Sequence, residues 1–139
     1  MKKILSFIII FTAAITLAAG LSSCRSRSHN GKLDAQWQVM TIENTNTGEV
    51  TAPSDQVKYI CIYRDVVNIF HVGIDGNLRY TKGGDTVWME FPYATSDNDI
   101  NVLRKLGIYT NPVTFKILKL DGKQLILQSP DAILTCRRF

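Results

Sequence analysis

Val113-Thr114-Phe115-Lys116-Ile117-Leu118-Lys119-Leu120, Asp121-Gly122, Lys123-Gln124-Leu125-Ile126-Leu127-Gln128: this stretch decides the fold. In its second run Leu125 and Leu127 face one way while Gln124 and Gln128 face the other, the two-residue period of a half-buried strand. Asp121-Gly122 between the runs is a hairpin signal, because tight hairpin turns need positive φ. Pro112 precedes the first run, and Pro130-Asp131 turns the chain into a last strand over residues 132–138.

Upstream of Pro112 the period changes once. Ser96 caps a helix start, Asp97 and Asp99 suit its positive first turn, and Ile100, Leu103 and Leu106 follow at helical spacing. Gly107 ends the helix, which is expected over residues 97–106. Before it the alternation returns. Leu33, Ala35, Trp37 and Val39 alternate with Asp34, Gln36 and Gln38 in a first strand, and residues 44–54, with Gly48 and Pro53, form a loop. Strands follow at 57–64 and 66–72. Asp75-Gly76 predicts a hairpin turn into residues 78–81, and Gly83-Gly84-Asp85 turns the chain into a strand at 86–91.

The count is eight strands, with short connections that pair sequential strands antiparallel. The expected class is therefore mainly β: an eight-stranded antiparallel up-and-down barrel with one short helix before strand six. Closure removes the unpaired edges of such a sheet; an open sandwich is the structural rival.

With 139 residues, 45% of them apolar and 20% charged, the chain has enough material for one domain. Its formal charge of +4 is unevenly placed. Lys2, Lys3, Arg25, Arg27 and Lys32 precede the domain, and all acidic residues lie beyond position 32, so residues 33–139 carry about −1. A nucleic-acid binder needs a basic face to neutralise phosphates, and the balance of this domain argues against that class.

The N-terminus is a targeting segment. Lys2 and Lys3 open it, residues 4–19 are apolar but for Ser6, Thr12 and Thr16, and that run is shorter than the roughly 20 residues of a membrane span. Leu21-Ser22-Ser23-Cys24 then resembles the lipobox of bacterial lipoproteins. The resemblance implies a signal peptide over residues 1–23, diacylglycerol on the sulfur of Cys24, and a membrane partner reached through that anchor. Each buried methylene contributes about 0.8 kcal/mol, so two or three acyl chains hold a protein firmly. Residues 24–32 are polar and read as a lipidated tether, with His29 solvated in it. The domain occupies residues 33–139.

No pattern marks a catalytic residue, a metal site or a cofactor. His71 is the one histidine beyond the tether, and no nucleophile pattern accompanies it. Asp75-Gly76-Asn77 and Asp97-Asn98-Asp99 are explained by turn and helix-start chemistry, and Gly83-Gly84 precedes a strand rather than the helix a phosphate loop needs. Cys61 and Cys136 lie on strands two and eight, with strand one between them in a closed meander. That separation is roughly 9.6 Å, beyond the ~7 Å a disulfide allows, so two free thiols are expected. Tyr59, Tyr63, Trp88, Tyr93 and Tyr109 suit a ligand mouth, a protein-facing patch or ordinary cross-strand packing.

With that pattern in place, the chain resembles the small lipocalin-like domains of Bacteroidota lipoproteins, of the calycin type. Leu33-Asp34-Ala35-Gln36-Trp37-Gln38-Val39 is similar to the first strand of lipocalins, where Gly-x-Trp places a tryptophan across the barrel floor. Here Ala35 stands where the glycine would. Ile133-Leu134-Thr135-Cys136-Arg137-Arg138 resembles the closing strand. The resemblance implies a buried Trp37 with a basic residue over its indole, Arg138 in preference to Arg137. It also implies a non-enzymatic binder of a small apolar or amphipathic ligand in the barrel mouth. The alternative is an envelope interaction or inhibitor module with a filled barrel. Arg25 after Cys24, with no acidic run, points by analogy to the outer membrane, facing the periplasm.

Overall fold

A computed structural model describes residues 28–139. The expected signal peptide, Cys24 and the expected tether up to Arg27 lie outside the described residues. The strands are β1 (Ala35–Asn44), β2 (Val50–Thr51), β3 (Tyr59–Tyr63), β4 (Val66–Ile69), β5 (Ile74–Tyr80), β6 (Thr86–Glu90), β7 (Val113–Leu120), β8 (Gln124–Gln128) and β9 (Ala132–Arg138). Helix α1 (Asp97–Lys105) lies between β6 and β7. Among the described residues no helix is long and apolar enough to cross a membrane.

Every neighbouring pair is antiparallel, and β9 closes the sheet on β1 from Trp37 opposite Arg138 to Asn44 opposite Ala132. Eight staves thus form a closed up-and-down barrel, as the alternation predicts. The ninth strand, β2, is a two-residue pairing alongside the end of β1, inside the segment the sequence assigns to a loop. β1 pairs three strands, β3 over residues 35–38, β2 at residues 42–43 and β9 over residues 37–44, and the β1–β9 register shifts between Val39 and Thr41.

Inward residues follow the two-residue period. Ile60 and Ile62 of β3, Val67 and Ile69 of β4, Leu125 and Leu127 of β8 are all buried in one core with Trp37. Helix α1 begins where Ser96 Oγ accepts the Asp99 N–H at 3.1 Å, with acids in its first turn and Arg104 and Lys105 in its last. Gly107 ends it at φ 69°, packed so closely that a side chain there would overlap Ala132.

Three expectations are corrected. Asp75-Gly76 is not a turn: both residues lie inside β5, and the chain reverses at residues 70–73, where Gly73 has φ 65°. Gly76 is required by contact rather than by φ, since a Cβ there would sit 2.6 Å from the Glu90 carbonyl and 2.7 Å from the Phe91 ring. The strand expected at 66–72 consequently stops at Ile69, so His71 belongs to the turn. Finally, the folded domain begins before Leu33. A 3₁₀ turn spans Gly31–Leu33, and Asn30 is buried, so residues 28–32 belong to the barrel floor and not to a solvated tether.

Candidate functional site

The two barrel ends differ. At the floor, Trp37 is fully buried and its Nε1 donates to the Leu33 carbonyl at 2.9 Å. The Arg138 guanidinium carbon lies 5.7 Å from the indole centroid, within cation–π range, and its Nη2 donates to the Asp34 carbonyl at 3.0 Å. The register places the two residues directly opposite one another. Arg137 turns outward instead and donates to Gln38 Oε1 at 2.7 Å. Ala35, in the glycine position, is half-buried against the core.

Beside this contact the Asp34 carboxylate accepts four hydrogen bonds. Ser28 Oγ and the Asn30 N–H donate to one oxygen, at 2.7 and 3.0 Å. Asn30 Nδ2 and the Arg64 N–H donate to the other, at 2.8 and 3.0 Å. Burial works to raise the Asp34 carboxyl, but these bonds outweigh it and hold the group below the ordinary carboxylate range. Asn30 Nδ2 also reaches the Arg64 carbonyl at 2.6 Å. Arg64, in the β3–β4 turn, has φ 54°, a conformation costly for a non-glycine residue; the bonds from Asp34 and Asn30 hold it there. His29, expected in solvent, stands 3.6 Å from the Asp65 carboxylate and is half exposed.

The mouth is plugged. Leu106 and Ile108 follow α1 into the barrel and meet Ile60, Val67, Phe115 and Leu134, leaving a void of about 10 Å³ with an entirely apolar lining. A single water needs about that much space, and a small-molecule site needs ~300 Å³ or more. The space these described residues enclose is too small for a ligand.

The outer wall of β3–β6 is different. The register sets Tyr63 opposite Val66, Val66 opposite Asn77 and Asn77 opposite Glu90, a row running across four strands. A second row brings Arg79 opposite Trp88, with the Arg79 guanidinium 4.4 Å from the indole centroid. Two open grooves flank these rows. One of about 600 Å³ is lined by Asp65, Asn77, Arg79, Tyr80 and Trp88 among others; the second, about 350 Å³, is lined by Val66, Asp75, Asn77, Pro92 and Tyr93. Asn77 lines both. Tyr93 is 84% and Tyr63 64% exposed.

The five aromatic residues marked in the sequence thus separate. Trp88, Tyr63 and Tyr93 share this wall. Tyr59 lies elsewhere, 5.3 Å from His71 and 5.1 Å from Phe139 between ring centroids. Tyr109 is exposed beside the mouth. Arg79 and Asn77 went unmarked because their role depends on which strands become neighbours.

Cys61 and Cys136 are both free. They flank β1, opposite Gln36 and Val39 respectively, and they face opposite sides of the wall, Cys61 outward and Cys136 inward. Burial raises both thiols, that of Cys136 to about 12. His71 packs against Tyr59 and Phe70. Among the described residues no three His, Cys, Asp or Glu side chains group so as to hold a metal ion.

A family model described as a lipocalin-like domain matches residues 19–139. Among solved structures, a lipocalin-like protein from Bacteroides uniformis superposes with a TM-score of 0.62 at 19% identity, covering 78% of this chain and all (100%) of that one. An uncharacterized protein from Bacteroides eggerthii gives 0.56 at 15% identity, covering 76% of this chain and 98% of that one. At such identities the likeness is one of fold. No curated protein matches the chain.

Proposed function

Because this chain belongs to the family of lipocalin-like domains, we propose that it is a membrane-anchored, non-enzymatic binding module that uses the outside of a filled barrel. The observation carrying this reading is the void of about 10 Å³ where a ligand chamber would be. A small apolar ligand in the mouth, the function the resemblance first implies, would have to displace Leu106 and Ile108 from the core. The envelope interaction module needs no such rearrangement.

The β3–β6 wall supplies the composition of a protein-binding surface. Interface energy concentrates in Trp, Tyr and Arg; Arg79 and Trp88 line one groove of this wall, Tyr93 the other, and Tyr63 stands opposite Val66 at its edge. Arg79 is held over the indole, so little side-chain freedom is left to lose on binding. Anchoring through an acylated Cys24 would place the module in the cell envelope, on the periplasmic face of the outer membrane.

The test is gentle purification of the full lipoprotein from its native envelope, alongside a Trp88→Ala/Tyr93→Ala variant. The expected result is acylation at Cys24 and a protein partner bound to the parent but lost from the variant. A stoichiometric small molecule in native mass spectra of both forms, with no protein partner, would overturn the reading.

A further inference from the structure

The near-neutral balance of the domain conceals a polarity between its ends. At the floor lie Lys32, Arg64, Lys82, Lys119, Lys123 and Arg138. Lys82 stands where a side chain on Gly31 would touch it at 3.1 Å. Lys32 and Lys119 both act on Asp121, the Lys123 carbonyl receives the Arg138 N–H at 2.8 Å, and Arg64 and Arg138 bond to Asp34. Four carboxylates share this end: Asp34, Asp65, Asp85 and Asp121. Asp34 and Asp121 are hydrogen-bonded in their ionised form and Asp65 stands 3.6 Å from His29, so the named floor groups sum to about +2. The mouth has the opposite sign. Among the described residues, Glu43, Glu49, Asp55, Asp97, Asp99 and Asp131 fall on the elements and loops of that end, with Lys58, Arg104 and Lys105 as the basic residues there.

The chain also enters at the floor. Ser28 is bonded to Gly31 and Asp34, and Cys24 precedes it by four residues with Arg25 and Arg27 between. Four residues reach at most ~14 Å. A lipid on Cys24 would therefore hold the floor within about a Debye length or two of the headgroups.

We propose that the barrel docks floor-down on the anionic headgroups of the bilayer that anchors it, with its acidic mouth pointing away; this inference rests on the reading of Cys24 as the lipid anchor. A basic residue at an anionic surface contributes a factor of roughly five to local binding. The floor's excess of about two cations, together with Arg25 and Arg27 next to Cys24 in sequence, supplies several such factors, and the mouth carboxylates repel the reverse orientation.

The experiment reconstitutes the full lipoprotein into vesicles of phosphatidylglycerol and phosphatidylethanolamine, and separately into phosphatidylcholine. Lysines are acetylated and read by peptide mass spectrometry. In anionic vesicles, acetylation of Lys82 and Lys123 should slow by roughly fivefold or more relative to Lys58 and Lys105. High salt should remove the protection, phosphatidylcholine should not give it, and Lys82→Glu/Lys123→Glu should lose it at Lys32 and Lys119. Uniform labelling of vesicle-bound protein would overturn the docking and leave the anchor standing. Equal protection in both lipids would mean that the tether or another protein covers the floor, and would also overturn it. Failure to float with vesicles at high salt would overturn the anchor, and the docking with it.

Discussion

Leu106→Ala tests the filled barrel most directly. Leu106 is 1% exposed and lines the residual void of about 10 Å³, so little empty space exists for neighbours to have relaxed into already. The substitution removes three carbon groups at ~0.8 kcal/mol each, about 2.4 kcal/mol of transfer free energy. It also leaves a hole on the order of 70 Å³, and at ~24 cal/mol per Å³ this adds about 1.7 kcal/mol. The expected loss is therefore about 4 kcal/mol, a fall in Tm of roughly 16 °C for a domain of this size. The assay is urea unfolding followed by tryptophan fluorescence, with the exposed Leu118→Ala as a control expected to change stability by less than about 0.5 kcal/mol.

The same variant separates the plug from a lid. A dry apolar hole accepts xenon, and one on the order of 70 Å³ admits that atom though not benzene, so the variant should gain affinity for xenon while the parent has none. Were the residues after α1 a cover over a wet chamber, truncating one would cost little. A loss below about 1.5 kcal/mol, with no new probe binding, would refute the packing argument and return the interior to consideration as a ligand site.

Three further outcomes follow from the floor and the thiols. Asp34 is held below its ordinary pKa of 3.8, so its stabilisation is complete above that pH and lost as pH falls through the lower folded value; Asp34→Asn should cost about 1–3 kcal/mol at neutral pH and flatten the acid limb of stability against pH. Arg138→Ala should cost about 1 kcal/mol by removing the contact over Trp37 and the bond to the Asp34 carbonyl, whereas Arg137→Ala should cost less, as read by urea unfolding. Iodoacetamide should modify half-buried Cys61 slowly near pH 8 and leave Cys136, raised to about 12, untouched until urea exposes it, as mass spectrometry of the peptides would show.

The barrel was legible wherever turn chemistry and alternation agreed. β7 and β9 fall on the expected bounds because Pro112, Asp121 and Pro130 punctuate clean two-residue patterns. Separation of the cysteines followed from strand order alone. Asp75-Gly76 misled because a glycine carries two meanings, positive φ and the absence of a Cβ, and only the position of Phe91 selects the second. Asn30 looked like tether because its partner Arg64 lies 34 residues away. Arg79 over Trp88 is likewise a product of register, and no local pattern announces it.

What the sequence could not give was the volume inside, and that quantity redirects the function. Periodicity shows that residues 97–106 have an apolar side; whether that side covers a chamber or fills it depends on how the β6–β7 connection is held. Here it is fixed at several points. Asn111 accepts the Phe91 N–H at 2.8 Å and donates to the Phe91 carbonyl at 2.9 Å, so the connection leaves and re-enters the wall at one place. Ser129 Oγ donates to the Gly107 carbonyl at 3.2 Å, and Lys105 Nζ reaches Gln56 Oε1 at 2.6 Å. Between these points Val102, Leu103, Leu106 and Ile108 are all buried. Swinging the segment out would expose all four at ~1.5–3 kcal/mol each, about 6–12 kcal/mol before any of those bonds is counted, and a ligand of about 20 atoms at ~0.3 kcal/mol per atom would spend its whole binding energy on that. The proposed binding module therefore uses its outside, where the β3–β6 wall sets Arg79 over Trp88.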